Sequence, residues 1–289
     1  MNAKVNDTSK PTALNQNKVP YSEVVAVIPA AGMATRLAPL PCSKELIPIG
    51  FGAIGQENKF RPKVVSHYLL EMFKLARIKK AYIVLHSEKL DIPAYFGSGQ
   101  MVDMKLAYLL VDLPIAVPYT LDQAYPFVQN KLVALGFPDI VLHPENSFVQ
   151  LLAKRMQTEA DIVLGLYPTD QPHKMDVVDL DENGCVRQIR PKPSKLKDGK
   201  VNYAWLTAVW TPVFTQYLHE FVSEHKKRYL GDCFEAATKN KRELFVGEIF
   251  QAAIEDRLNI ETVLFSDGNC LDIGTPDDLA KAFGKSSLR

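Results

Sequence analysis

The sequence has little cysteine and no long apolar run. Its 289 residues include four cysteines, Cys42, Cys185, Cys233 and Cys270, and no C-x-x-C pair. This spacing argues against a disulfide framework and against a structural zinc site. No run of about 18 apolar residues occurs, and the polar first twenty residues lack the apolar core of a signal peptide. We therefore expect a cytoplasmic protein with reduced thiols and a disordered or loosely attached tail over residues 1–20.

An excess of one charge is absent too. The chain has 34 lysines and arginines against 33 acidic residues, a formal net charge of +1. Such a balance creates no global field that would attract nucleic acid or an anionic membrane, so neither is expected as a partner. The loop after the first apolar run has neither G-x-G-x-x-G nor G-x-x-x-x-G-K-[ST], which disfavours a Rossmann dehydrogenase and a P-loop NTPase. Any affinity for anions must be local.

The apolar content is high, and its pattern predicts an α/β fold. Hydrophobic residues make up 47% of the chain, enough for a full core, and at this length one large α/β domain and two small ones are equally compatible. We expect one domain over 21–289. Short β-branched runs predict strands at VVAVIPA, KAYIVLHS and MKLAYLLVD, and helical spacing predicts a helix at KVVSHYLLEMFKLARI. A short all-apolar first strand followed by a loop and a helix is typical of a sheet that is covered on both faces.

The second half predicts further strands and helices. We predict helices at DQAYPFVQNKLVAL, Ser147–Thr158, Phe214–Lys227 and Gly247–Arg257, and strands at GFPDIVL, ADIVLGLYP, DVVDLDENGCVRQIRP, YAWLTAVWTP and ETVLFSD. Asn183-Gly184 is a hairpin signal, and Thr275-Pro276 predicts the start of a helix with threonine as its N-cap. The simplest architecture is a Rossmann-like, doubly wound mixed sheet with an elaborated C-terminal half.

The loop AAGMATRLAPLPCSKELIPIG, residues 30–50, has the composition of a phosphate site. Ligands of open α/β sheets gather at the carboxyl ends of the strands, and small residues let backbone N–H groups approach an anion. Arg36 can offer a bidentate fork to phosphate, and Lys44 adds a second cation. The alternative is an ordinary proline-rich crossover with surface charges.

The string T-R-L-x-P-L-P-x-S-K-E-L-I-P-I in this loop resembles the signature G-x-G-T-R-L-x-P-x-T-x-x-x-P-K-x-L-x-P-I of the sugar-1-phosphate nucleotidyltransferases. Four further segments are similar to landmarks of that family in the same order, over roughly residues 23 to 283: FGSGQMVDMKLAYLLVDLP, TLDQA, RPKP and LDIGTPDDL. Within the family, the chain most resembles the glucose-1-phosphate thymidylyltransferases, with the uridylyltransferases second.

The resemblance implies a reaction between a nucleoside triphosphate, dTTP or UTP, and a sugar 1-phosphate, with glucose 1-phosphate the expected sugar substrate. It implies that Arg36 holds the triphosphate, that Lys44 stabilises the transferring or leaving phosphates, and that Lys192 binds the phosphate of the sugar. Asp139 and Asp272 match the acids that hold Mg²⁺. We expect each of them to end a strand, so that both project from the carboxyl edge of one sheet.

Substrate contacts follow from the same resemblance. The nucleotide is expected to contact Ala30, Ala31, Gly32, Met33, Ala34, Thr35, Tyr119, Thr120 and Leu121. The sugar phosphate is expected to contact Asp176, Lys192, Tyr203 and Thr207. Relatives of this fold often form dimers or tetramers, so a homo-oligomer is compatible with the sequence, although no motif sets the contact.

Departures from the family pattern keep alternatives open. Ala34, Pro138 and Pro191 replace two glycines and an acid of the pattern, and Asp176 stands where a glycine is usual. A methyl group at Ala34 would crowd the phosphates if that position needs a positive φ. The alternatives are a sensor or partner subunit that binds a sugar nucleotide without catalysis, and a cytidylyltransferase that demands CTP.

Overall fold

The computed structural model describes residues 23–55, 59–112, 115–194, 201–229 and 243–284. The expected tail over 1–20 and the domain boundary at residue 21 lie outside these ranges, as does Cys233. Within the described residues, no helix combines the length and the apolar character needed to cross a membrane.

Strands dominate the centre of the molecule. The described strands are β1 (Val24–Ala30), β2 (Pro48–Ile54), β3 (Lys59–Val64), β4 (Lys80–His86), β5 (Lys105–Val111), β6 (Leu132–Leu135), β7 (Ile140–His143), β8 (Ile162–Pro168), β9 (Val177–Leu180), β10 (Val186–Arg190), β11 (Tyr203–Trp210), β12 (Ile260–Leu264) and β13 (Asn269–Asp272). The described helices are α1 (Val65–Leu75), α2 (Asp91–Phe96), α3 (Val117–Asp122), α4 (Tyr125–Val128), α5 (Ser147–Thr158), α6 (Pro212–Tyr229), α7 (Val246–Glu255) and α8 (Pro276–Gly284).

The central sheet is mixed, and β1 lies near its middle. In the described residues its order is β10-β9-β11-β6-β1-β4-β5, with β8 paired to β11 and β12 paired to β8. Strands β6, β1, β4 and β5 are parallel, whereas β11 runs antiparallel to β6, β8 and β9. The Rossmann-like mixed sheet with an elaborated second half is therefore confirmed.

Helices cover both faces of this sheet, which explains the continuous apolar run in β1. On one face α1 and α5 bring Leu69, Phe73 and Phe148 into the core. On the other face α6 and α7 contribute Phe214 and Phe250 to a second apolar layer. A strand between two such layers has no solvent side, so its residues need not alternate between apolar and polar.

One predicted helix was wrong, and one hairpin was not predicted. The segment DQAYPFVQNKLVAL is not one helix, because its last part is strand β6, which pairs with both β1 and β11. A short buried apolar run fits a helix or a central strand equally well by periodicity alone, and here the tertiary position decided. The sequence interpretation also missed the antiparallel hairpin formed by β2 and β3, which follows the phosphate loop.

The positions of Asp139 and Asp272 relative to the strands also differ from the expectation. Asp272 ends β13, but Asp139 lies immediately before β7 rather than at the end of a strand. Strands β7 and β13 pair antiparallel in a small separate sheet, with Asp272 opposite Ile140. The two acids therefore become neighbours through this small sheet and not through the edge of the central one.

Candidate active site

The loop after β1 presents unused backbone donors. In the part of the chain that the structure describes, the N–H groups of residues 32–36 donate no hydrogen bond to other protein groups. The turn is closed behind them, because the N–H of Leu37 donates to the carbonyl of Ala34 at 2.9 Å. Space beside Gly32 is open, with no heavy atom within 4 Å of the position that a Cβ would take. Free donors around open space suit an anion.

Ala34 adopts the backbone conformation for which the family pattern has a glycine. Its φ is +52°, in the left-handed region. This conformation costs a residue with a Cβ about 1–2 kcal/mol relative to right-handed backbone. The condition under which Ala34 was expected to matter is therefore met.

Lys44 lies in a 3₁₀ turn, Lys44–Leu46, and contacts one of the two acids. Its Nζ donates to Oδ2 of Asp139 at 2.5 Å, and each side chain is about one-sixth exposed, at 15% and 17%. Burial lowers the pKa of Lys44, but the negative charges of Asp139, Glu45 and Asp272 outweigh it, so that the pKa lies above its usual value. The lysine is thus a fixed positive charge.

Asp272 is the second acid of the site. Burial and the nearby charge of Asp139 raise its pKa to about 6, against the opposing charges of Lys44 and Lys174. Arg36 approaches the same turn: a Cβ on Gly274 would lie 3.4 Å from Nη2 of Arg36 and 3.1 Å from Oδ2 of Asp272. Two carboxylates and two cations therefore gather between the phosphate loop and β13.

Asp176 and Lys192 form the second part of the site. Oδ2 of Asp176 accepts the N–H of Gly247 at 3.0 Å, in the first turn of α7. Burial raises the pKa of Asp176, while this hydrogen bond and the charge of Lys192 lower it, and burial prevails. Lys192 has a φ of +35°, and its Nζ lies 3.8 Å from Oε1 of Glu243 and 4.2 Å from the ring centre of Phe245.

One cavity of about 260 Å³ joins the two sides. Five of the residues singled out from the sequence line it: Arg36, Asp139, Asp176, Lys192 and Asp272. Its apolar wall includes Val117, Phe137, Trp205, Leu206, Phe245 and Val246. Cations and carboxylates at one end with apolar and aromatic groups around them can hold a charged phosphate and an uncharged body together.

Other predicted contact residues lie elsewhere. Tyr119, Thr120 and Leu121 are buried in α3; the hydroxyl of Tyr119 meets Nδ1 of His225 at 2.6 Å, and the N–H of Thr120 donates to the carbonyl of Ala116. Val117, two residues before Tyr119, lines the cavity instead.

Strand β11 contributes to the cavity through two residues that lie between the predicted contacts Tyr203 and Thr207. Thr207 is fully buried, its hydroxyl packed against Gly165 of β8. Tyr203 is half-buried at the start of β11 and does not line the cavity, whereas Trp205 and Leu206 between them do. A bulge between Trp205 and Thr207 shifts the alternation of side chains along this strand, which the sequence pattern does not reveal.

Sequence reasoning missed a third cation in the cavity, Lys174. It follows β8, and its Nζ donates to both carboxylate oxygens of Asp278, at 2.8 and 3.0 Å. Asp278 is itself fixed by the hydroxyl of Thr275, the predicted N-cap of α8. No sequence signal marks Lys174, because a lysine in a short turn is ordinarily a solvated residue.

The side chains of the site indicate what kind of metal ion they could hold. Among the described residues, no group of three or more His, Cys, Asp or Glu side chains is placed to hold one. Asp139 and Asp272 form a pair of oxygen donors, which is the arrangement that Mg²⁺ uses when water and substrate phosphates complete its shell. The residues present therefore fit a magnesium ion that binds together with a polyphosphate.

Known proteins resemble this chain in sequence and in fold. A family model described as nucleotidyl transferase matches residues 25–287. The chain is 21% identical over 259 residues to the low-salt glycan biosynthesis nucleotidyltransferase Agl11 of Haloferax volcanii, covering 89% of this chain and 64% of that protein. It is 27% identical over 177 residues to a glucose-1-phosphate thymidylyltransferase of Neisseria gonorrhoeae, covering 59% of this chain and 56% of that one. The chain thus spans less than two thirds of the length of these relatives.

Solved structures show the same fold. A candidate glucose-1-phosphate thymidylyltransferase of Bacillus anthracis, crystallised with a sucrose, superimposes with a TM-score of 0.73 at 18% identity, over 92% of this chain and 96% of that chain. HddC from Yersinia pseudotuberculosis gives a TM-score of 0.60 at 14% identity, over 90% and 98%.

Proposed function

This chain belongs to the nucleotidyl transferase family, and from that premise we propose that it transfers a nucleotidyl group from a nucleoside triphosphate to a sugar 1-phosphate. The proposed nucleotide is dTTP or UTP, and the proposed sugar substrate is glucose 1-phosphate. The observation that carries the proposal is that Arg36, Asp139, Asp176, Lys192 and Asp272 line one cavity, beside a loop whose N–H groups at 32–36 donate to no other protein group among the described residues.

In the proposed reaction, a phosphate oxygen of the sugar 1-phosphate attacks the α-phosphorus of the triphosphate. The bond from that phosphorus to the β-phosphate oxygen breaks, and pyrophosphate leaves with the electron pair. Such a transfer needs orientation and charge neutralisation more than it needs a general base. We assign the triphosphate to the N–H groups of residues 32–36 and to Arg36, and the leaving pyrophosphate to Lys44.

The sugar phosphate is assigned to the other side of the cavity. Lys192 would pair with its phosphate, and the carboxylate of Asp176, which also accepts the N–H of Gly247, would accept a hydrogen bond from a sugar hydroxyl. The aromatic wall of Trp205 and Phe245 would cover the apolar face of the ring. Lys174, held by Asp278, would add positive charge where the two substrates meet.

Asp139 and Asp272 would hold a magnesium ion with the phosphates. When bound, that ion would neutralise charge on the α-phosphate and the leaving group. Burial and the charge of Asp139 raise the pKa of Asp272, and a bound divalent cation would favour its charged form.

A second candidate is a sensor or partner subunit that binds a sugar nucleotide without turning it over. It is favoured by the replacements Ala34, Pro138 and Pro191, of which Ala34 places a methyl group on left-handed backbone within the phosphate loop. A cytidylyltransferase would share the loop and differ in its demand for CTP.

The test is a panel of dTTP, UTP, CTP and ATP against several sugar 1-phosphates with Mg²⁺, scored by pyrophosphate release. We expect release with dTTP or UTP and glucose 1-phosphate, and its loss in Asp272→Asn. Release with CTP alone would favour the cytidylyltransferase. Tight binding of dTDP-glucose or UDP-glucose by calorimetry, with no release from any pair, would favour the sensor. Neither release nor binding would overturn all three.

A further inference from the structure

Lys89 is a buried cation beneath the phosphate loop. It lies in the turn between β4 and α2 and is 6% exposed. Its Nζ donates to the carbonyl of Ala30 at 2.7 Å, to the carbonyl of Gly32 at 3.1 Å and to Oε1 of Glu45 at 2.6 Å. An ammonium group has three N–H donors, so every donor of Lys89 has its acceptor within the protein.

These three bonds join the two ends of the loop. Ala30 and Gly32 belong to its beginning, at the end of β1, whereas Glu45 belongs to the 3₁₀ turn that carries Lys44. Glu45 is 2% exposed, and its backbone carbonyl is held in turn by the hydroxyl of Ser66 in α1, at 2.8 Å. Lys89 therefore ties the beginning of the loop to the turn that carries Lys44.

The turn that carries Lys89 contacts the phosphate loop at a further point. Asp91, two residues after Lys89, accepts the N–H and the hydroxyl of Ser43, both at 2.6 Å. Ser43 directly precedes Lys44. The segment from Lys89 to Asp91 therefore forms a platform that contacts both halves of the loop, although it does not line the cavity.

We propose that Lys89, with Glu45, is a positioning residue for nucleotidyl transfer: it turns the carbonyls of Ala30 and Gly32 inward and holds the loop and Lys44 at the spacing that a triphosphate requires. This inference rests on the proposed function. A buried ion pair is by itself weak evidence for stability, since apolar replacements of the same volume often do as well. What such replacements cannot do is bind two backbone carbonyls of the loop.

The experiment uses the full chain in three variants. Lys89→Met removes all three donors but leaves a buried, unpaired Glu45 and is expected to fold poorly. Lys89→Met with Glu45→Gln leaves no unpaired buried charge and is the informative variant. Lys131→Met is the matched control, because Lys131 pairs with Glu23 at 2.9 Å beside the opposite end of β1.

We expect the double variant to fold, with a urea midpoint below that of Lys131→Met because the buried carbonyl of Ala30 loses its donor. Its kcat/KM for the nucleotide should fall about 100-fold, the loss that follows a displacement of about 1 Å in a catalytic group. The KM for the sugar 1-phosphate should not change, because Lys192 and Asp176 lie outside the platform. Nucleotide kinetics equal to those of Lys131→Met, or an equal rise in both KM values, would overturn the proposal.

A readout that needs no turnover separates this proposal from the proposed function. The N–H groups of Leu37 and Ala38 both donate to the carbonyl of Ala34, so their hydrogen exchange reports the closure of the loop. In the double variant we expect these two amides to exchange faster than in Lys131→Met, with or without activity in the native chain. Equal exchange rates would overturn the positioning role, whereas an inactive native chain with faster exchange would overturn the proposed function alone.

Discussion

Lys44 and Asp139 meet at 2.5 Å, Nζ to Oδ2, although 95 positions separate them in the chain. One residue comes from the loop after β1 and the other from the segment just before β7. Each neutralises the other in a place that is mostly shielded from water. A bound polyphosphate would compete with Asp139 for the ammonium, and a bound cation would compete with Lys44 for the carboxylate, so the pair is suited to open when both arrive together.

The first prediction concerns this lysine. Lys44→Ala should lower the rate of pyrophosphate release by about 10²–10³-fold, because a fixed charge no longer faces the leaving phosphates. Lys131→Ala, which breaks the ion pair with Glu23 near the other end of β1, should leave the rate unchanged. Equal rates in the two variants would contradict the role of Lys44.

Ala34 offers a test of backbone strain. Ala34→Gly should raise the free energy of unfolding by about 1 kcal/mol, because glycine adopts φ near +52° without the penalty that a Cβ incurs. The same change at Ala30, a buried residue of β1, should lower stability, because glycine loses more conformational entropy than alanine when it is fixed in a strand. Urea denaturation measures both, and a destabilised Ala34→Gly would disprove the strain.

His67 makes stability depend on pH. Burial, with the charge of Lys63, lowers its pKa from 6.5 to about 4, so between these values the unfolded chain holds a proton that the folded chain does not. The free energy of unfolding should therefore fall as the pH is lowered from 6.5 to 4, by about 2–3 kcal/mol from this group. His67→Gln should flatten the curve relative to native, and the exposed His173→Gln should not. Parallel curves for all three would refute the assignment.

Gly247 tests the sugar side of the cavity. A Cβ there would lie 2.5 Å from Oδ2 of Asp176, so Gly247→Ala must displace the carboxylate. We expect the KM for the sugar 1-phosphate to rise about 10-fold or more, as when a positioned polar group is lost, with little change in the KM for the nucleotide. Gly284→Ala, where a Cβ meets nothing within 4 Å, is the control. A rise confined to the nucleotide KM would show that Asp176 serves the other substrate.

Much of the fold could be predicted from local patterns. The all-apolar run of β1, the helix Ser147–Thr158 and the Asn183-Gly184 turn each follow from features within a few residues, and the structure confirms them. Strand β6 could not be predicted in this way, because its apolar run becomes a strand only through its place between β1 and β11.

The residues of the site fall into the same two groups, those that a pattern in the sequence reveals and those that depend on tertiary position. Arg36, Lys44, Asp139, Lys192 and Asp272 stand in an ordered pattern, so resemblance could find them. Lys89 and Lys174 have no pattern: each matters through a partner about 44 or 104 positions away, Glu45 and Asp278. The cavity is lined by Val117, two residues before the predicted contact Tyr119, and by Leu206, one residue before the predicted contact Thr207. Sequence reaches the right strand or helix there, but side-chain direction depends on a helical turn and a bulge.

The pairing of β7 with β13 has a consequence for the growing chain. Residue 264 ends the last described strand of the central sheet, yet Asp272 lies in β13, which is made later and must pair with a strand made about 130 residues earlier. We expect a nascent chain stopped before β13 to form a sheet that already displays Arg36 and Lys44 but lacks their second acid. Formation of the central sheet and completion of the site are then separate events during synthesis, and the second waits until β13 has been made.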